Sequence, residues 1–342
     1  MILIMIIENK TREKRCRKYR YLDKNRDRWK VKMRLDLKII LGILIIVSLT
    51  LIFGYNAFSS DEHRTVNLSK TIDLNVTKSE DVLDIGVSAM ISSKETLAVY
   101  QEIVDYIGEK LGKKTRLVQR ATYAEMNDLV KTKAVVAAFV CSGPYVDGHE
   151  EFGMEIIAAP QMYNETAYYS YIIVNKNSTI KTFKDLRGKK FAFTDPKSNT
   201  GKVVPTYILS KMNETPETFF SGFIFSGSHD NSIEAVAKNI VDGAAVDHLI
   251  WEYINKRNPD FTSGTKVIEK HGPYAIPPIV THPGTDPVLK QKIRSILLDM
   301  HNDEKGKKII NKIEIEKFVV MDDSSYNSVR EMTTWQNKQG TN

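Results

Sequence analysis

From residue 82 onward, short apolar runs alternate with amphipathic ones, and this alternation restricts the chain to a small set of folds. Residues 82–88 (VLDIGVS) read as a buried strand. Residues 96–111 then carry Leu97, Val99, Ile103, Val104, Ile107 and Leu111 near helical spacing, behind the candidate caps Ser92 and Ser93. Gly112 is placed to end that helix. Residues 115–119, 123–131 and 135–141 continue as strand, helix and strand. The order β-α-β-α-β specifies an α/β layer with mainly parallel strands, whose ligands sit off the carboxyl ends of the strands. Ala121, Thr122, Tyr123 and the run 141–145 (CSGPY) fall at such ends and are expected to wall a cleft.

Residues 154–159 and 168–174 read as further strands, the second running without a turn signal to Asn175 and so able to leave this lobe. A second series follows, with strands at 190–194, 223–226 and 244–247 and helices at 202–212, 230–241 and 249–255. Residues 266–270 and 278–281 are again extended, and 286–301, 305–313 and 324–336 are helical. The expectation is α/β, with two lobes joined by two extended crossings near 170 and 275 that hinge around a ligand. The expected first lobe is 82–171 with 276–342, and the second is 172–275.

A formal net charge of +7 would point to nucleic acid if it were spread over the fold. It is concentrated instead: residues 1–38 hold 14 Lys and Arg against 5 Asp and Glu, and residues 39–342 hold 35 against 37. No nucleic-acid partner is expected. The basic block adjoins residues 39–55, seventeen positions without a charge, at the short end of what spans a bilayer. Its positive flank keeps the N-terminus in the cytoplasm, so the chain is expected to be a single-pass membrane protein with its binding domain outside. A cleavable signal peptide using Ala57 and Ser59 is the competing reading, and the length of the run favours an uncleaved anchor. Met1 and Met33 are both candidate starts, since Met33 opens a conventional short basic flank; residues 56–81 read as a polar linker. On this topology Cys16 and Cys141 lie on opposite sides of the membrane, so no internal disulfide is expected and Cys141 reads as a small buried hydrophobe. Five Asn-x-Ser/Thr sequons, at Asn67, Asn75, Asn164, Asn177 and Asn213, permit glycosylation in a host that performs it.

The run Asp195-Pro-Lys-Ser-Asn-Thr-Gly-Lys-Val-Val-Pro205 joins a strand to a helix and is crowded with hydroxyls. Free N–H groups and the positive end of the helix dipole make such a turn a seat for a small anion, although Ser198 or Asn199 also suits simple capping. A second polar turn, Ser226-Gly-Ser-His-Asp230, opens the next helix and brings His229 to the same surface. Asp247 stands at a third strand end, where it either faces the ligand or caps a helix.

Together, residues 186–190 (LRGKK), the DPKSNTGKVVP run, the SGSHD turn with Glu234-Ala235-Val236 and the GAAVD at 243–247 resemble the phosphate/phosphite/phosphonate-binding proteins of ABC importers, the PhnD-type family. The likeness extends through Tyr123-Ala-Glu-Met126, residues 170–178 and Pro277-Pro278, and covers about residues 82–320. It implies a type II periplasmic-binding-protein fold without chemistry of its own, with an ABC permease and ATPase as partners. The family's anion loop falls on Ser198, Asn199, Thr200 and Gly201, its histidine on His229, and its first-lobe tyrosines on Tyr123 and Tyr168. Asp247 is added as an acceptor for a protonated ligand oxygen. Asn199 departs from the family's Thr, and residues 272–279 (GPYAIPPI) lack the acid that holds an amine in aminoalkylphosphonate binders. Phosphate, phosphite or a simple phosphonate is therefore the expected ligand. The rival readings are an extracellular sensor acting through a separate signalling partner, and an enzyme with a Ser198–His229–Asp247 triad. The triad lacks a G-x-S-x-G elbow, and the seven histidines show no paired metal-ligand spacing. Neither a catalytic residue nor a metal or other cofactor is expected.

Overall fold

The computed structural model describes residues 82–339. The basic block, the apolar run 39–55 and the linker lie outside them, and with these the expectations of an anchor, a signal peptide and a membrane topology. Among the described residues no helix is long and apolar enough to cross a membrane.

Two sheets organise the chain. The first is built from β1 (Leu83–Val87), β2 (Thr115–Gln119), β3 (Ala137–Phe139) and β4 (Glu155–Gln161), with helices α1 (Ser93–Leu111), α2 (Tyr123–Lys131) and α3 (Ser142–Phe152) between them. After crossing to the second sheet and back, the chain adds β10 (Ile279–Thr281) and β11 (Lys317–Val319), giving the order β11-β4-β10-β3-β1-β2. β1 runs parallel to β2 and β3, while β10 is antiparallel to both of its neighbours. Helices α7 (Pro287–Asp299), α8 (Glu304–Asn311) and α9 (Asn327–Gln339) complete the return. Ile85, Val87, Ile103, Phe139, Leu297 and Phe318 lie in the core of this lobe. Gly86 is part of that packing, since a Cβ there would meet Met126 Sδ at 2.4 Å.

The second sheet has the order β7-β6-β8-β5-β9, from β5 (Ala167–Asn175), β6 (Lys190–Phe193), β7 (Gly222–Phe225), β8 (Gly243–Asp247) and β9 (Thr265–Ala275). Its helices are α4 (Val204–Lys211), α5 (His229–Ala237) and α6 (His248–Arg257). An aromatic cluster fills one face: Phe183 stacks on Phe219 at 5.6 Å and Phe191 on Phe220 at 4.4 Å between ring centroids. The chain passes between the sheets at residues 162–166 and 276–278, so the whole of β5 belongs to the second sheet, pairing with β8 and β9.

Two local expectations are corrected and one helix is added. Residues 141–145, expected only to wall a cleft, open a helix that the sequence reading did not assign: Ser142 begins α3, which continues through Pro144 and Gly148 to an αL cap at Gly153. Gly and Pro suggest a turn there, but Pro is tolerated in a first helical turn. The strand expected at 266–270 is the eleven-residue β9, because pairing with β5 along almost its whole length overrides the turn composition of Gly272 and Pro273. The helix expected from Lys202 begins with one π-helical turn, Asn199–Val203, in which the Val203 N–H donates to the Ser198 carbonyl at 2.9 Å.

Candidate functional site

Strands β7, β6 and β8 are neighbours, and the turns that leave their carboxyl ends meet. The Ser226 and Gly227 amides donate to the carbonyls of Phe193 and Thr194, which ties the second turn to the first. In the first turn Ser198 is the N-cap, its Oγ accepting the Gly201 N–H at 3.1 Å. Capping uses an oxygen lone pair and leaves the hydroxyl proton to be donated, so the capping and anion-seat readings of Ser198 are compatible. Gly201 fits because a Cβ there would lie 2.4 Å from Thr194 Oγ1 and 2.6 Å from Thr194 Cβ.

Four side-chain atoms around these strand ends are buried and lack a hydrogen-bond partner: Ser88 Oγ, Tyr123 Oη, Asn199 Oδ1 and Thr200 Oγ1. An unmade bond at a buried polar atom costs about 1–3 kcal/mol, so four of them around these strand ends mark the cleft as the candidate polar site. Ser88 directly follows β1, and Tyr123 opens α2 with its ring packed against Met90 and Cys141. Burial, ahead of nearby Cys141, Asp195 and Asp247, raises the Tyr123 phenol well above its ordinary pKa and keeps it a donor. Tyr168 Oη accepts from Asn199 Nδ2 at 3.0 Å, with Cys141 Sγ 3.8 Å away. Turning the Asn199 amide by half a rotation would let Oδ1 accept the Tyr168 proton and aim the NH2 group at an anion.

His229 is buried, and burial lowers its pKa from 6.5 to about 3, so the ring is neutral. Its Nδ1 accepts the Asp247 N–H at 3.1 Å and lies 3.1 Å from Thr194 Oγ1, which places the ring proton on Nε2 as a donor. Asp247 Oδ1 caps α6 by accepting the Leu249 N–H at 2.8 Å, and burial raises this carboxyl to about 7. The contacts thus bring Ser198, Asn199, Thr200, Gly201, Tyr168, Tyr123, His229 and Asp247 to one cleft. The ring nitrogen that a Ser–His–Asp triad would direct at the acid meets the Asp247 backbone amide instead. Lys202 does not join them: its Nζ bonds Thr206 Oγ1 at 2.7 Å and lies 4.5 Å from the Phe193 ring centroid, and burial lowers its pKa to about 8. Tyr145 and Ser142 are used structurally, donating to Asp323 Oδ1 and to the Ala275 carbonyl. Among the described residues no group of three or more His, Cys, Asp or Glu side chains is arranged to hold a metal.

Sequence reasoning passed over Ser88, whose only signal is its place as the last residue of a strand-like run. It also passed over two carboxylates that join the lobes. Asp195 Oδ2 accepts the Tyr123 N–H at 3.2 Å and Asp230 Oδ1 accepts the Ser92 N–H at 2.9 Å, so each lies at the start of a first-lobe helix. The His229 N–H donates to the Met90 carbonyl between them, and the lobes are closed on one another. Gly143 permits that closure, since a Cβ there would lie 2.6 Å from the Lys197 carbonyl.

A family model described as the periplasmic phosphonate substrate-binding protein of ABC transporters matches residues 85–326. Over 183 residues the chain is 26% identical to a probable ABC transporter phosphite binding protein of Prochlorococcus marinus, covering 50% of this chain and 62% of that one. The chain therefore spans less than two thirds of this curated relative's length. Among solved structures, the binding protein component of an ABC phosphonate transporter from Pseudomonas aeruginosa superposes with a TM-score of 0.71 at 22% identity, covering 75% of this chain and 86% of its own. The structure of PhnD1 from Prochlorococcus marinus in complex with methylphosphonate gives 0.69 at 21% identity, covering 75% and 98%. These two likenesses show the fold.

Proposed function

We propose that this chain, which belongs to the family of periplasmic phosphonate substrate-binding proteins of ABC transporters, captures a phosphate-like oxyanion between its lobes and delivers it to an ABC permease and its ATPase. The observation that carries the reading is the set of unpartnered buried atoms at Ser88, Tyr123, Asn199 and Thr200 around a capped helix start. Ser198, Thr200, Tyr123 and the His229 Nε2–H supply neutral donors, with Asn199 joining them once its amide is turned. The Gly201 loop lets its backbone approach. Above about pH 7, where its carboxyl is ionised, Asp247 accepts from a protonated ligand oxygen, which favours phosphonate, phosphite or phosphate over sulfate, since sulfate carries no proton there. The role is binding and release with no bond made or broken. An uncleaved helix at 39–55 would hold the domain at the outer membrane face, next to its permease.

Calorimetric titration of the full chain in detergent with phosphite, methylphosphonate, phosphate and sulfate tests this. We expect submillimolar binding of at least one of the first three and at least about tenfold weaker sulfate binding, from the loss of one buried hydrogen bond to a charged group. No heat with any of them rejects the reading.

A further inference from the structure

The last described helix, α9, touches both lobes, and it begins at Asn327, one residue past the end of the family match. Its first turn is held by the first lobe. Val329 is buried in a core cluster with Met126, Val130 and Val146. Arg330 pairs with Asp323 at 2.6 Å, and Asp323 also accepts the Tyr145 hydroxyl of α3 at 2.7 Å. Just ahead of the helix, the Tyr326 hydroxyl donates to the Ile276 carbonyl at 2.8 Å, which fixes it to the second crossing.

The turns that follow meet the second lobe. Met332 is buried with Val203 and Val204, and Trp335 meets the Tyr207 ring edge-on at 6.0 Å between centroids. Val329, Met332 and Trp335 are three apart, and in a helix of 3.6 residues per turn each step of three moves the contact about 60° around the axis. One stripe thus turns from the first-lobe core onto α4. The far end of this contact is the anion loop. The amides of Lys202 and Val203 donate to the Ser198 carbonyl at 3.0 and 2.9 Å, closing the turn that carries Asn199, Thr200 and Gly201. A helix anchored in one lobe therefore presses on the residues that close a loop in the other, and when the lobes turn on their crossings such a contact is made or lost.

We propose that α9 is a strap that holds the anion loop in shape, with Met332 as the positioning residue, and that seating this strap is part of lobe closure. This rests on the oxyanion reading above and extends it to what holds the cradle.

Met332→Ala and Met332→Leu in the full chain test it, with Leu297→Ala in the first-lobe core on α7 as the control. In the ligand-free protein, hydrogen exchange of the Lys202 and Val203 amides, read by NMR, is expected to be about tenfold faster in Met332→Ala than in the parent. With phosphite and with methylphosphonate, Met332→Ala is expected to lose about tenfold in affinity, between the worth of one and of two buried CH2 groups, equally for both and through faster dissociation. Met332→Leu refills most of the volume and should stay within about threefold of the parent in both readouts. Leu297→Ala should lower Tm at least as much as Met332→Ala and leave both affinities within about twofold. Should Met332→Ala fail to fold, Trp335→Ala at a half-buried position is expected to move both readouts the same way by about threefold. Unchanged exchange at residues 202 and 203 overturns the strap whether or not either anion binds. An affinity loss matched by Leu297→Ala overturns it as well, since the loss would then follow stability alone. Faster exchange in Met332→Ala with a parent that binds neither anion removes the oxyanion reading and supports the strap by itself.

Discussion

The two lobes face one cleft but contribute to it differently. The second lobe presents three adjacent strand ends whose turns are hydrogen-bonded to one another, and it holds the Ser198–Gly201 loop, His229 and Asp247. The first lobe brings Ser88 and the Tyr123 hydroxyl, both unpartnered, and reaches the second lobe through helix-start amides that Asp195 and Asp230 receive. On the proposed reading one half is a cradle whose turns are tied to one another and the other is a cover that docks on it, and each carries buried unpartnered atoms: Asn199 Oδ1 and Thr200 Oγ1 in the cradle, Ser88 Oγ and Tyr123 Oη in the cover. A half held together by its own hydrogen bonds loses little freedom on binding, and the half that must dock on it gains most from closing.

The cradle is where the division is most easily broken. In Gly201→Ala the new methyl would sit 2.4 Å from Thr194 Oγ1, beside the hydroxyl that meets His229 Nδ1, so the loop and the histidine must both shift. Methylphosphonate affinity is expected to fall at least about a hundredfold, the worth of two misplaced charge-assisted bonds, with a stability loss of about 1–3 kcal/mol from overpacking. Calorimetry and thermal denaturation measure both, and a variant with unchanged affinity would show that the cradle lies elsewhere.

Removing a donor from the cover has effects of opposite sign. Tyr123→Phe deletes a buried hydroxyl that has no partner, so the ligand-free protein should be as stable as the parent or slightly more so. Affinity should nevertheless fall about tenfold, because the bond completed on closure is lost. Equal binding by variant and parent would remove Tyr123 from the site; a destabilised ligand-free variant would mean that the hydroxyl is satisfied within the protein.

Much of this was legible in the sequence because the informative positions are strand ends. Periodicity exposes where a buried strand stops, and polar residues just beyond it, such as Ser198, His229 and Asp247, stand out against the apolar run. Tyr123 and Tyr168 were legible only through the family resemblance, since a tyrosine with apolar neighbours reads equally well as core. Ser88 was absorbed into its strand, and α3 was hidden because Gly143 and Pro144 imitate a turn while serving a helix start and a close approach to Lys197. The bonds from Ser92 to Asp230 and from Tyr123 to Asp195 span 138 and 72 residues, a separation at which local pattern carries no information.

The smallest effect separates the cradle's two titrating groups. As pH falls from about 6.5 toward 3, the unfolded chain protonates its histidine while buried His229 stays neutral, so the folded state loses stability, by up to about 1.4 kcal/mol per pH unit. Asp247 acts in the other direction: with its folded pKa raised from 3.8 to about 7, the folded state takes up the proton first and gains stability as pH falls through that window. Between about pH 4 and 6.5 the two largely cancel. His248, lowered to about 4, adds to the acid loss in parent and variant alike. In Asp247→Asn the amide oxygen still caps α6, but the compensation is gone. The drop in Tm between pH 7 and pH 5 should therefore be steeper than the parent's by about 5 °C, the shift expected for roughly 2 kcal/mol in a domain of this size. Parallel curves for the two proteins would mean that Asp247 is ionised in the ligand-free state, and with it that the cleft is wetter and the cover less closed than the bonds across it indicate.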